Sequence, residues 1–193
     1  ESLAVHDGLG DFAVLSTAAR HVGHQAIRHR GTFGGSLAHA DPCGELLAAA
    51  LLLDGQVVVE ALGRRREMPA TDFVRGPYET CLAPDEMLTW VRFPSQGGRR
   101  TGFYEFARRS GDFALSGAVV SLPPEGVPGR VCAVLFAPGR APVRTETDLD
   151  AQGEPAARVA ERLHPRMTDR DHESRLRWSA LSRALTRAGL PDG

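Results

Sequence analysis

The chain has 193 residues, 42% hydrophobic and 24% charged, with 23 basic residues against 24 acidic ones and a formal net charge of −1. That is a globular composition, enough for one domain or two small ones, with no global field to steer it toward nucleic acid or an anionic membrane. Every basic residue is arginine, which removes Schiff-base and amine-nucleophile chemistry by lysine.

In chain order, Asp11 caps a predicted helix running to Val22, because Phe12, Leu15, Ala18 and Ala19 fall at helical spacing and Gly23 stands at its C-terminal turn. His24 to Ala40 reads as an irregular stretch dense in Arg, His and Gly. Asp41-Pro42 reads as a helix start, with the helix continuing from Glu45 to Leu53 until Asp54-Gly55 ends it. The β-branched and alternating runs Gln56 to Leu62, Met87 to Phe93, Phe103 to Arg108, Phe113 to Leu122 and Val131 to Phe136 read as strands. Pro123 to Gly126 resembles a hairpin connection, and Arg64-Arg65-Arg66 beside Gly63 reads as a solvated hairpin tip. Helices Ala156 to Leu163 and Glu173 to Ala188 close the chain, the second with Trp178, Leu181, Leu185 and Ala188 on one stripe.

The polar, Gly-rich stretch Ser95 to Arg100 divides the expected α+β fold into residues 1–94 and residues 101–193, the latter an antiparallel sheet backed by C-terminal helices. Cys43, Cys81 and Cys132 are too far apart for a CxxC pair and odd in number, so they read as reduced thiols. The longest apolar run, Leu46 to Leu53, is far short of the roughly 20 residues of a membrane span, and no secretory leader is recognised. The expected compartment is the cytoplasm.

The most informative segment runs from Arg28 to Pro42. Its glycines Gly31, Gly34 and Gly35 remove Cβ atoms and permit positive φ, so successive backbone N–H groups can converge on an anion such as a pyrophosphate. Thr32 and Ser36 add hydroxyls, and the helix after Asp41 points its N-terminus toward the same place.

The whole string, RxRGTxGGSLAHADPxxEL, resembles the second FAD loop of the medium subunits of the carbon monoxide dehydrogenase and xanthine dehydrogenase family, the molybdenum hydroxylases. Ala18 to Arg28 is similar to the family's lead into that loop, Phe73 to Glu86 to its FxxGxxxTxLxPxE run, and Arg108 to Leu115 to its RRxGDFAL signature. Phe33 departs from the aliphatic residue usual at its position. The resemblance implies the second lobe of a two-lobed FAD-binding fold. It implies electron relay from iron-sulfur clusters of one partner subunit through FAD to an acceptor, with substrate oxidised on a molybdopterin subunit. Carried over by motif, Thr32, Gly34, Gly35 and Ser36 would face the pyrophosphate, Asp41 and Glu45 would lie near polar groups of the cofactor, and Leu82 would touch a ring. No catalytic residue is expected. The family's other glycine-rich loop, of the AGGxxL type, has no counterpart before Arg28, and residues 1–10 are too few for a βαβ lobe, so the chain by itself is expected to hold FAD weakly.

Other readings carry less. His21, His24, His29 and His39 form no closed ligand set, because Gly23 ends the helix between the first two. Ser36, His39 and Asp41 lack the elbow that exposes a nucleophile. A flavin-free descendant using the vacated cleft for biosynthesis or ligand binding, and an assembly partner that pairs with hydroxylase subunits or with a second copy of itself, stand as the alternatives.

Overall fold

The computed structural model describes residues 2–3, 9–150, 154–164 and 172–192. Of the opening stretch read above as too short for a further lobe, positions 1 and 4–8 lie outside the described residues. The fold is α+β with antiparallel sheets.

A single 3-10 turn at Gly10–Phe12 leads into α1 (Ala13–His21). Asp11 sits inside that turn and caps nothing; its Oδ2 accepts from the Gly98 amide at 3.3 Å. The stretch expected to be irregular folds as two short helices, α2 (Gln25–Arg30) and α3 (Phe33–His39). Each is no longer than about two turns and α3 opens on two glycines, so neither propensity nor periodicity announces them.

The next helix, α4 (Glu45–Leu52), starts at Glu45 and not at Pro42. Asp41 Oδ1 accepts from the Cys43 amide at 2.8 Å and the Gly44 amide donates to the Asp41 carbonyl at 2.9 Å, which closes a turn ahead of the helix. Apolar on every side, α4 is buried on every side.

After it, β1 (Gln56–Ala61) and β2 (Arg64–Pro69) form a hairpin over Leu62-Gly63. Then come α5 (Ala70–Phe73), the small pair β3 (Val74–Gly76) and β4 (Glu79–Thr80), and β5 (Met87–Arg92), which pairs with β1 to give the sheet order β2-β1-β5. The arginine run therefore belongs to a strand and not to a solvated tip. Arg66 forks onto Glu86, with Nε to Oε1 at 2.8 Å and Nη2 to Oε2 at 2.5 Å. That guanidinium, with the Ala83 amide, holds the Glu86 carboxyl down at about 2.

The second sheet is β6 (Arg100–Phe106), β7 (Ser116–Leu122), β8 (Gly129–Ala137) and β9 (Arg140–Leu149), in that order and antiparallel throughout. Val131 to Phe136, read as a strand, pairs with β7 along Val119–Val134. Phe113 to Leu115 stay in the loop before β7, and β9 was missed because RAPVRTETDL shows little apolar alternation. Two helices, α6 (Ala156–Leu163) and α7 (His172–Arg187), cover one face. No described helix is long and apolar enough to cross a membrane.

All of β7 is buried, and its alternation divides the interior. Val119 joins Phe103, Val134 and Phe136 against α1 and α4, in a core that also takes Val57 and Val59 of β1. Ala118, Val120 and Leu122 face Leu181 and Leu185 of α7. Residues on both sides of the Ser95 to Arg100 stretch thus share the first core.

The tightest approach between layers is at Gly102, where a methyl would lie against the Ala184 carbonyl oxygen and 2.8 Å from the Ala188 nitrogen. Neither backbone atom can move without the helix. Gly102→Ala is therefore expected to lower the free energy of unfolding by about 3 kcal/mol. Urea denaturation measures it, and a loss below about 1 kcal/mol would show that α7 tolerates displacement from β6.

Candidate functional site

The site is built around the first turn of α3. Thr32 has extended backbone and its Oγ1 accepts from the Gly35 amide at 3.0 Å, an N-cap that starts a helix its glycines alone would not. Neither Gly34 nor Gly35 has a positive φ, contrary to the sequence expectation. Space matters instead, more at Gly35 than at Gly34: a Cβ on Gly35 would sit 2.8 Å from Thr32 Oγ1, and one on Gly34 would sit 3.1 Å from the flexible end of Leu88, Cδ2.

The C-terminal end of α3 is held with more strain. Ala40 ends the helix with φ 50, and its carbonyl accepts from the amide of Tyr78, which has φ 58. Both are non-glycine residues in the left-handed region, a placement that surrounding structure must enforce. The Tyr78 ring packs on His39 at 5.2 Å, and His39 Nε2 lies 4.0 Å from Asp41 Oδ2.

Three clefts meet at this helix. The first, about 620 Å³, is lined by apolar Ala19, Val22, Ile27, Phe33 and Leu46, and by Arg28, Arg30, Thr32, Gly35, Ser36 and His39. A second, about 370 Å³, shares Val22, Ile27, Ser36 and His39 with the first and adds His24, Asp41, Glu45, Asp112 and Phe113. The third, about 510 Å³, runs from Thr32, Phe33 and Gly34 along Leu88 to Val91 of β5. Arg28 does not swing freely across the first: its Nη1 donates to the carbonyls of Val22 and Gly23 at 3.3 and 2.9 Å.

The second cleft carries acidic side chains, Asp41 and Glu45 among its lining. Burial, together with the Asp41 charge and against the helix amide it accepts from, pushes the Glu45 carboxyl up to about 7. Glu105 on β6 is pushed up to about 8 by burial and by Glu45, and its Oε2 has no hydrogen-bond partner among the described residues. Burial and the carboxylates of Asp41, Glu45 and Glu105 push the Cys43 thiol up to about 12, so it is no nucleophile. Asp41 and burial also raise the Tyr78 hydroxyl.

Of the residues singled out from sequence, Thr32, Gly34, Gly35, Ser36, Asp41 and Glu45 line these clefts. Leu82 lines none of the three and packs half-buried against the first core. From sequence, His24 and His39 read only as metal or triad candidates, and Asp112 and Phe113 stand only within the RRxGDFAL signature, with no cleft assigned to any of the four. A signal was there for the last two: Gly111, with φ 86, precedes an acid and an aromatic in a loop, and Phe113 is 75% exposed. A Cβ on Gly111 would come within 2.5 Å of the His24 ring, so this loop closes directly onto the cleft. His21, weighed and set aside as a metal ligand, places Nδ1 2.8 Å from the Thr17 carbonyl and packs on Phe103.

An α+β lobe with a helix facing adjoining clefts of mixed apolar and polar lining has the form of a small-molecule or cofactor site. Residues 4–96 match the FAD binding domain in molybdopterin dehydrogenase, and the chain's relatives are FAD subunits of molybdenum hydroxylases. It is 42% identical over 139 residues to the nicotine 6-hydroxylase medium subunit of Paenarthrobacter nicotinovorans, covering 72% of this chain and 48% of that protein. Among solved structures it resembles quinoline 2-oxidoreductase from Pseudomonas putida 86, with a TM-score of 0.75 at 32% identity over 91% of this chain and 66% of that one. Carbon monoxide dehydrogenase from Oligotropha carboxidovorans shares the fold at 23% identity, with a TM-score of 0.83 over 97% of this chain and 71% of that one. The chain spans about half the length of the curated relatives it matches.

Proposed function

We propose that this chain is the flavoprotein element of a multi-subunit molybdenum hydroxylase, binding FAD around α3 and relaying electrons from partner iron-sulfur clusters to an acceptor. The observation that carries the reading is the first turn of α3. There Thr32, Gly35 and Ser36 line a cleft inside the region that matches an FAD binding domain.

The residues present fit the cofactor. Gly35 has no Cβ to fill the wall, and while its amide is taken by Thr32 Oγ1 and that of Ser36 by the Thr32 carbonyl, the amides of Phe33 and Gly34 have no acceptor within the helix and can meet a pyrophosphate. Thr32 holds the Gly35 amide and thereby fixes the turn, while Ser36 reaches both adjoining clefts with its hydroxyl. Glu45, with its carboxyl near 7, can accept from or donate to a sugar-type hydroxyl at neutral pH, and Asp41 stands beside it. Val22, Ile27, Phe33 and Leu46 supply apolar wall that keeps water from a ring. When bound, FAD supplies the exchange between one-electron clusters and a two-electron acceptor. Substrate oxidation belongs, on this reading, to a molybdopterin subunit.

FAD titrated into the chain, followed by flavin fluorescence, is expected to give saturable binding that inorganic pyrophosphate displaces. Binding indifferent to pyrophosphate would remove the phosphate from the α3 turn. No binding at millimolar FAD would overturn the reading for this chain.

A further inference from the structure

The seam between β6 and α7, on the opposite face of the second sheet from α4, carries arginines that meet no carboxylate. Side chains alternate along a strand, so Arg100, Gly102, Tyr104 and Phe106 share one face of β6. Gly102 lets α7 come down onto that face. Beside it Tyr104 and Phe106 stand edge to face, with ring centroids 5.0 Å apart.

Two guanidiniums converge on these rings. Arg183 Cζ lies 4.9 Å from the Tyr104 centroid and 5.1 Å from that of Phe106, and Arg187 Cζ lies 4.7 Å from Tyr104. Arg183 also donates to the Tyr104 hydroxyl, and Arg187 Nη1 donates to the Phe103 carbonyl at 3.2 Å. Arg100 donates to the Pro123 carbonyl at 3.1 Å and abuts Gly189 beyond the end of α7. Among the described residues none of the three forms an ion pair. Asp192, the carboxylate nearest Arg187 in sequence, accepts from Thr186 at 2.7 Å.

By contrast, Arg66, Arg92, Arg130 and Arg144 on other strands each meet a carboxylate. Arg183 and Arg187 are like charges one helical turn apart, an arrangement that disfavours the isolated helix. Stacking on rings orders both guanidiniums while both residues remain exposed, an arrangement suited to taking carboxylates.

We propose that the β6–α7 seam docks an acidic polypeptide segment of a partner protein, with Arg183 and Arg187 each taking a carboxylate. Four helical residues rise about 6 Å, and alternate residues of an extended chain are spaced about 6.6 Å, so carboxylates at alternate positions of such a segment match the two forks. Arg187 already occupies the Phe103 carbonyl on β6, so recognition runs through side chains and not through strand addition. Arg100 extends the positive seam past Gly102, a length that suits a chain better than a single phosphate.

The test uses the full chain and a fluorescent peptide of alternating glutamate and serine, followed by anisotropy at low salt. Wild-type protein is expected to bind it with an affinity that falls as salt rises. Arg183→Gln with Arg187→Gln is expected to weaken binding at least about tenfold with the fold retained by circular dichroism, since both residues are exposed and Gln is a good helix former. Arg183→Gln alone is expected to give an intermediate loss. Arg75→Gln, on exposed β3, is expected to change nothing. Unaltered affinity in the double variant, or an equal loss in Arg75→Gln, would overturn the proposal. Displacement of the peptide by an equal concentration of inorganic phosphate would also overturn it, by making the seam a small-anion site.

Discussion

Replacing Glu105 by Gln is expected to flatten a loss of stability that the wild-type chain shows as pH rises from about 5 to 9. In the folded chain burial and the Glu45 charge raise the Glu105 carboxyl from 4.5 to about 8. The folded state therefore holds a proton between those values that the unfolded state has released. Stability is unaffected by this group below 4.5, where both states are protonated. It falls as pH rises through the interval and is fully reduced once the folded carboxyl ionises above about 8. A full shift of that size is scaled down by the partial exposure of the side chain, leaving about 2 kcal/mol. Gln cannot ionise, and its amide inherits the place of an oxygen that already lacks a partner among the described residues, so the substitution introduces little new strain. Urea unfolding at pH 5, 7 and 9 measures the difference between the two proteins. Equal slopes for wild type and variant would show that Glu105 ionises in the folded chain as freely as in the unfolded one.

The same carboxyl pair shows why half of the site was legible in the sequence and half was not. Thr32, Gly35 and Ser36 could be read because they are neighbours, and their chemistry depends on backbone shape over a few residues. Glu105 is sixty positions from Glu45 and is brought beside it only when α4 packs on the second sheet. No local pattern marks that approach. The fold divides in the same way. Helices α4 and α7 and strands β1, β5, β7 and β8 announce themselves by apolar runs or alternation, because burial on one or both faces imposes it. Strands β2 and β9, rich in arginine and threonine, are specified by the neighbours they pair with and the carboxylates they meet, such as Glu86 for Arg66 and Asp54 for Arg144. Those partners lie far away in sequence. The error at Gly34 and Gly35 has another origin. Glycine is compatible with a left-handed turn and also with a crowded right-handed one, and only the neighbour that a Cβ would strike tells them apart.

That distinction leads to the other large expected effect, a loss of FAD binding in Gly35→Val with the fold retained. Gly35 has ordinary helical backbone, so a side chain there suffers no conformational strain. What it meets is Thr32 Oγ1, 2.8 Å from the new Cβ, at the atom that accepts from the Gly35 amide. The cap must open, which costs about 1 kcal/mol and leaves the protein folded. The two γ-methyls also enter the wall that Gly35 shares with Thr32 and Ser36 in the first cleft. A pyrophosphate excluded from that wall loses charge-assisted hydrogen bonds of about 1.5 to 3 kcal/mol each, so affinity should fall by roughly 100-fold or more when two are lost. Gly34→Val supplies the comparison. Its Cβ meets Leu88 Cδ2 at 3.1 Å, the far end of a flexible side chain that can turn aside, and it borders the third cleft and not the first. Its effect on FAD should be several-fold smaller. Flavin fluorescence titrations of both variants, with urea unfolding to confirm that each is folded, measure the order. A Gly35→Val protein that binds FAD as wild type does would place the pyrophosphate away from α3, and a Gly34→Val protein more impaired than Gly35→Val would move it to the cleft along β5.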